Sequence, residues 1–177
     1  MLQHIRKPFV AFSALAAVLA MTGCQASGGG TLSPSPCATG HAPTTFGFTF
    51  QSNEAQGPGF FGSFAGTFRD PGACGFRGGV AMRGTGHPVA PDSPLGPPTA
   101  GAAGAILVNY ESMNPANPGV GQFALQVTDS GRPGLGAGDS FTIIVFDGPY
   151  AGYVNAGTVQ QGNITVLQGG DPVPPTP

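Results

Sequence analysis

The sequence predicts an all-β fold, an antiparallel β-sandwich of about eight short strands with long Gly/Pro-rich loops, preceded by an N-terminal signal peptide. Three observations predict it. Apolar residues, including 13 Phe, fall in short clusters between turn formers, and 31 Gly and 19 Pro punctuate them, which is the pattern of buried strands joined by loops. In Thr44-Thr45-Phe46-Gly47-Phe48-Thr49-Phe50 every second residue from Phe46 on is Phe, so one face of an extended segment carries all three rings. No segment after residue 24 combines helical periodicity with helix-forming composition.

Taken in order, residues 1–23 have the anatomy of an export signal. Arg6 and Lys7 precede an apolar run from Phe9 to Met21, followed by Thr22 and Gly23; the run is well short of the ~20 residues of a membrane-spanning helix. Met21-Thr22-Gly23-Cys24 resembles the lipobox of bacterial lipoproteins. That resemblance implies diacylglycerol on the Cys24 thiol after cleavage, and Gln25 behind it implies sorting to the outer membrane. Val18-Leu19-Ala20 also offers a site to an ordinary signal peptidase. Residues 24–43, rich in Gly, Ser and Pro, read as a flexible tether. The folded domain is expected over 44–168 and a disordered tail over 169–177, where Pro and Gly cannot extend a sheet.

With Cys24 at the mature terminus, Cys37 and Cys74 remain as the internal thiols. In an oxidising compartment they are expected to pair as a disulfide.

Beyond the Phe46 strand, strands are expected over 60–69, 75–83, 104–110, 122–128, 140–147, 153–160 and 163–168. Gln161-Gly162-Asn163 reads as a tight hairpin between the last two. In Ser140–Phe146 both parities are apolar, with Phe141, Ile143 and Val145 on one face and Ile144 and Phe146 on the other. Both faces therefore need cover. The cover is either the Pro-rich excursion 84–103 or another protein, which makes Phe141, Ile143, Ile144 and Phe146 the candidate interaction residues.

Charge narrows the partners. Residues 24–177 contain four Arg, no Lys and eight acids, a net of −4, so no basic surface is available to neutralise phosphates and nucleic acid is not an expected partner. Only 8% of all residues are charged; such a surface repels neighbours weakly and suits tethering or docking.

Catalytic and metal-binding constellations are sparse. Asp129 and Asp139 flank turns where carboxylates can hold Ca²⁺, or can equally cap backbone amides. His41 and His87, in Gly/Pro loops, are the mature histidines; a copper site could draw on them, whereas a copper-only superoxide-dismutase-like centre needs more histidines than these two. Ser140 in Gly138-Asp139-Ser140-Phe141 has no histidine after it to serve as a base, as a nucleophilic serine requires. No cofactor and no enzymatic activity are expected, with a Ca- or Cu-binding β-sandwich as the alternative.

The stretch Val127-Thr128-Asp129-Ser130-Gly131-Arg132-Pro133-Gly134, then Gly138-Asp139-Ser140-Phe141 and Ala156-Gly157-Thr158-Val159-Gln160-Gln161-Gly162-Asn163-Ile164, resembles the all-β post-COAP-type modules of secreted bacterial surface proteins. The opening Thr45-Phe46-Gly47-Phe48 is similar as well, whereas the Pro-rich 84–103 insertion departs from the pattern. The resemblance implies a structural or binding module without established catalytic residues. The combined expectation is a lipid-anchored accessory protein of the outer envelope, held to the membrane through its anchor and docking to a larger surface-layer, porin-like or cell-wall-associated protein.

Overall fold

The computed structural model describes residues 25–37, 42–51, 62–86, 104–130 and 138–167. Residues 1–23, read above as a signal peptide, together with Cys24, His41, His87, most of the 84–103 excursion and residues 168–177, lie outside them. The described chain is all-β and antiparallel: β1 (Gln25–Leu32), β2 (Thr44–Gln51), β3 (Ser63–Asp70), β4 (Val80–Gly86), β5 (Gly104–Ser112), β6 (Val120–Thr128), β7 (Ser140–Val145), β8 (Val154–Thr158) and β9 (Gln161–Leu167), with one 3₁₀ turn at Gly148–Tyr150.

In place of two facing sheets, the strands form one continuous sheet in the order β8-β7-β6-β5-β4-β3-β2-β1-β9. Strands β8 and β9 stand at opposite ends of that order, yet two residues join them. The sheet must therefore curl until its ends meet. The crossing is visible in consecutive amides: Val159 N–H donates to the Asp139 carbonyl (2.9 Å), beside β7, and Gln160 N–H donates to the Thr31 carbonyl (2.8 Å), on β1. The chain thus pairs with β7 through β8 and, two residues later, with β1 through β9. The hairpin expected at Gln161-Gly162-Asn163 is corrected to a bend in a continuing strand. Gly162 has φ of 104°, and a Cβ there would lie 2.0 Å from the Gly29 carbonyl oxygen, so glycine is required by crowding at the closure and not by a turn.

The tether reading is likewise corrected over 25–32. That segment is β1, paired with β2 on one side and β9 on the other, with Ala26 and Leu32 buried. Its inward positions alternate Ala26, Gly28, Gly30, Leu32. A Cβ on Gly28 would meet Phe48 and Ile164 at 2.9 Å, so the neighbours' side chains fill the space that a larger residue would take.

The core lies inside the curl. Phe46, Phe48 and Phe50 all point inward, as their alternation predicts. Phe46 on β2 stacks on Phe141 of β7 at 4.2 Å between centroids, and Phe68 of β3 reaches the same ring at 5.8 Å. Opposite walls are therefore in direct contact and the interior is filled by side chains.

Topology separates the two ends of this barrel-like body. At one end β1 starts, β2, β4 and β6 finish, and β3, β5 and β7 begin. At the other end lie residues 33–37, 42–43, 71–79, 113–119 and 146–153, which carry the disulfide and most of the side-chain hydrogen bonding described below.

Candidate functional site

At the end away from the start of β1, Cys37 and Cys74 are joined in a disulfide, with Cα atoms 5.3 Å apart. It links the segment after β1 to the β3–β4 connection. Beside it lies a buried polar cluster around Asp70, the last residue of β3, which has no solvent exposure. Its Oδ2 accepts from the hydroxyls of Ser35 and of Tyr153 (2.6 Å) and from Asn155 Nδ2 (3.3 Å), while Oδ1 accepts from Gly72 N–H (3.0 Å). Asn155 also donates to the Thr44 hydroxyl. Burial, reinforced by the hydrogen bond to Asp70, drives the Tyr153 phenol far above its ordinary value. The phenol stays protonated and acts as a permanent donor. Every buried side-chain polar atom among the described residues has a partner, and this cluster ties the segment after β1, the β3–β4 connection and β8 together at this end of the barrel.

A second cluster braces the same end. Tyr150, fully buried, places its hydroxyl 2.8 Å from that of Ser112 and donates to the Ala81 carbonyl. Tyr110 donates to the Asp147 carbonyl; burial raises its phenol as well. Asn114 donates to the carbonyls of Arg77 and Gly79, locking the β5–β6 connection onto the β3–β4 one.

Asp129 and Asp139, at the opposite end, serve the closure of the sheet. Asp139 Oδ2 accepts from Ile164 N–H (2.8 Å), and Asp129 Oδ2 accepts from Val166 N–H (2.9 Å). Residues 164 and 166 alternate with those that face β1, so the two carboxylates cap the outer edge of β9, where an unpaired amide would otherwise be left. Asp139 also accepts from the amide and hydroxyl of Ser130. Among the described residues no group of three or more His, Cys, Asp or Glu is placed to hold a metal ion.

Burial alone would raise the Asp139 carboxyl, but the bonds from the Ser130 amide, the Ile164 amide and the Ser130 hydroxyl outweigh it and hold the group below its ordinary value. With the folded pKa below the unfolded one, this stabilisation is complete above the ordinary carboxylate range and disappears as pH falls through the folded value. Asp139→Ala is expected to cost about 3 kcal/mol at neutral pH by withdrawing an acceptor from two amides. Urea denaturation at pH 7 and at pH 3 checks this: the difference between wild type and variant should shrink at the lower pH.

The interaction residues divide. Phe141 and Ile143 are corrected to core residues, 3% and 1% exposed, and Val145 joins them; Ile144 and Phe146 alternate outward, 38% and 56% exposed. Val154 stands directly across from Ile144 on β8 and is also exposed. Phe146 lies beside Gln122, through Phe146 N–H to the Gln122 carbonyl (3.0 Å). Val120, two residues earlier on β6, extends the exposed apolar surface. The outer face of β6, β7 and β8 thus presents three or four apolar side chains together, next to Asp147, whose carboxylate accepts from Gln122 N–H.

Comparison with protein-family models, with curated proteins and with solved structures finds no match for this chain.

Proposed function

We propose that this chain is a lipid-anchored accessory protein of the bacterial outer envelope, docking to a larger surface-layer, porin-like or cell-wall-associated protein. The observation that carries the docking is the exposed cluster Ile144, Phe146 and Val154 on the outer face of β7 and β8. Such side chains each gain ~1.5–3 kcal/mol when fully buried, and an apolar cluster rimmed by polar residues is the usual mark of a protein contact. The anchor rests on the lipobox-like Met21-Thr22-Gly23-Cys24.

The test is Ile144→Asp and Phe146→Asp, each made singly. Both side chains point away from the core, so stability should change by no more than about 0.5 kcal/mol. Envelope proteins recovered with the wild type after mild detergent extraction should be lost from both variants. Unchanged recovery would remove this face from the interface. Phe141→Asp, on the inward face of the same strand, should instead unfold the domain.

A further inference from the structure

We propose that the outer face of β5 and β6 carries a binding cleft for a neutral, N-acetylated saccharide. The cleft measures about 630 Å³ and is lined chiefly by Thr85, Asn109, Glu111, Val120, Gln122 and Asp147, a size within the ~300–1,000 Å³ of small-molecule sites. Two local features open it. Strands β4 and β5 pair only from Met82 with Ser112 to Gly84 with Tyr110, whereas β3 and β4 stay paired to Gly86 and β5 and β6 to Gly104. The surface therefore splits between Thr85 and Asn109. On the other side the chain leaving β7 folds back over the start of β6. Asp147 accepts from Gln122 N–H and its carbonyl accepts from the Tyr110 hydroxyl. At Gly148, with φ of 74°, a Cβ would lie 2.3 Å from the Val120 carbonyl oxygen. Glycine there lets Asp147 stand as a fixed wall of the cleft.

The chemistry of the lining selects the ligand. Asn109 and Gln122 stand opposite each other on β5 and β6, and Gln122 Nε2 donates to Asn109 Oδ1 at 2.9 Å. That bond orients the pair and leaves Asn109 Nδ2 to donate and Gln122 Oε1 to accept. An acetamido group, with one carbonyl and one N–H, complements both. Val120, 72% exposed in the same cleft, offers an apolar contact to its methyl. Phe146 extends the row from Asn109 through Gln122 by its ladder bond to the Gln122 carbonyl, and its exposed ring suits the C–H face of a sugar. The Thr85 hydroxyl and the carboxylates of Glu111 and Asp147 supply partners for sugar hydroxyls. Two carboxylates repel an anionic ligand. Arg83, directly across from Glu111 on β4, offsets one of them against a cation, and no metal-holding group occurs among the described residues. A neutral, hydroxyl-rich ligand meets all of these conditions. Ile144 and Val154 lie on the far side of Phe146, so the cleft depends neither on the protein contact made there nor on the lipid anchor.

Full-length, isotope-labelled protein is titrated by NMR with chitotetraose and, separately, with cellotetraose, which carries hydroxyls in place of the acetamido groups. Chitotetraose should bind with Kd on the order of 1 mM. It should shift the amide resonances of Asn109, Glu111, Val120 and Gln122 and leave those of Thr49 and Thr67, on the outer faces of β2 and β3, in place. Asn109→Ala and Gln122→Ala, both on the outer face, should each weaken binding about tenfold with an unchanged urea midpoint. Ile144→Asp, which probes the docking face, should leave the titration as it is. Absence of shifts at about 10 mM chitotetraose, or shifts confined to other faces, overturns the site. Equal affinity for the two tetramers overturns recognition of the acetamido group, and undiminished binding by Gln122→Ala overturns the role of the amide pair.

Discussion

Loss of the Cys37–Cys74 bond is expected to lower the stability of the domain by about 4 kcal/mol, the loop-closure entropy for a bridge that spans 37 residues of sequence. That is a large share of the ~5–15 kcal/mol by which domains of this size are stable. The bond also has a local consequence. Cys37 lies two residues beyond Ser35, whose hydroxyl donates to Asp70, and Cys74 lies four residues beyond Asp70 itself. Releasing the bridge lets the segment after β1 swing away and withdraws one donor from a carboxylate that has no solvent exposure. Urea denaturation of the Cys37→Ser/Cys74→Ser variant measures the effect. Its midpoint should fall sharply and its m-value should rise, because an uncrosslinked denatured chain exposes more surface. A loss below about 1 kcal/mol would mean that the denatured chain is already confined without the bridge.

What the sequence made legible follows from where the physical signal resides. The strand at Phe46, Phe48 and Phe50 is legible because large side chains at period two report directly on one buried face, and all three are buried. Strand β1 is not legible because its signal belongs to other residues. Gly28 and Gly30 are small where Phe48, Ile164 and Val159 press against them, and a composition that reads as flexible is here a requirement for close approach. The bend at Gly162 is misread for a related reason: Gly-Asn favours a turn locally, yet the partners that decide its conformation are Gly29 and Gly30, more than 130 residues earlier in the chain. Strand β7 is half legible. Its two apolar faces announce a demand for cover, and the inward face finds it in Phe46 and Phe68, while Ile144 and Phe146 remain exposed. Asp129 and Asp139 do accept backbone amides, as turn chemistry suggests, but those of Ile164 and Val166 lie 25 and 37 residues away. Local sequence could not supply those partners.

The Asp70 cluster is the clearest case of a feature that sequence could not announce, and it carries the second large expected effect. Its donors come from the segment after β1, the β3–β4 connection, the residue before β8 and β8 itself, so no motif marks it. Asp70→Ala should destabilise the domain by about 4 kcal/mol, because it leaves the buried Tyr153 hydroxyl and Gly72 amide, and the half-buried Ser35 and Asn155 donors, without their shared acceptor. Tyr153→Phe should cost less, about 1–2 kcal/mol, since it removes one donor and leaves Asp70 with its bonds from Ser35, Gly72 and Asn155. The two residues are in contact, with 2.6 Å between the Tyr153 hydroxyl and Oδ2, and their effects should not add. In Asp70→Ala/Tyr153→Phe the phenol that would have lost its acceptor is gone, so the double variant should be more stable than the sum of the single losses by about 1–3 kcal/mol. Chemical denaturation of the four proteins closes the cycle. Strict additivity would show that water enters this end of the barrel and satisfies the phenol, and that the cluster does not seal it.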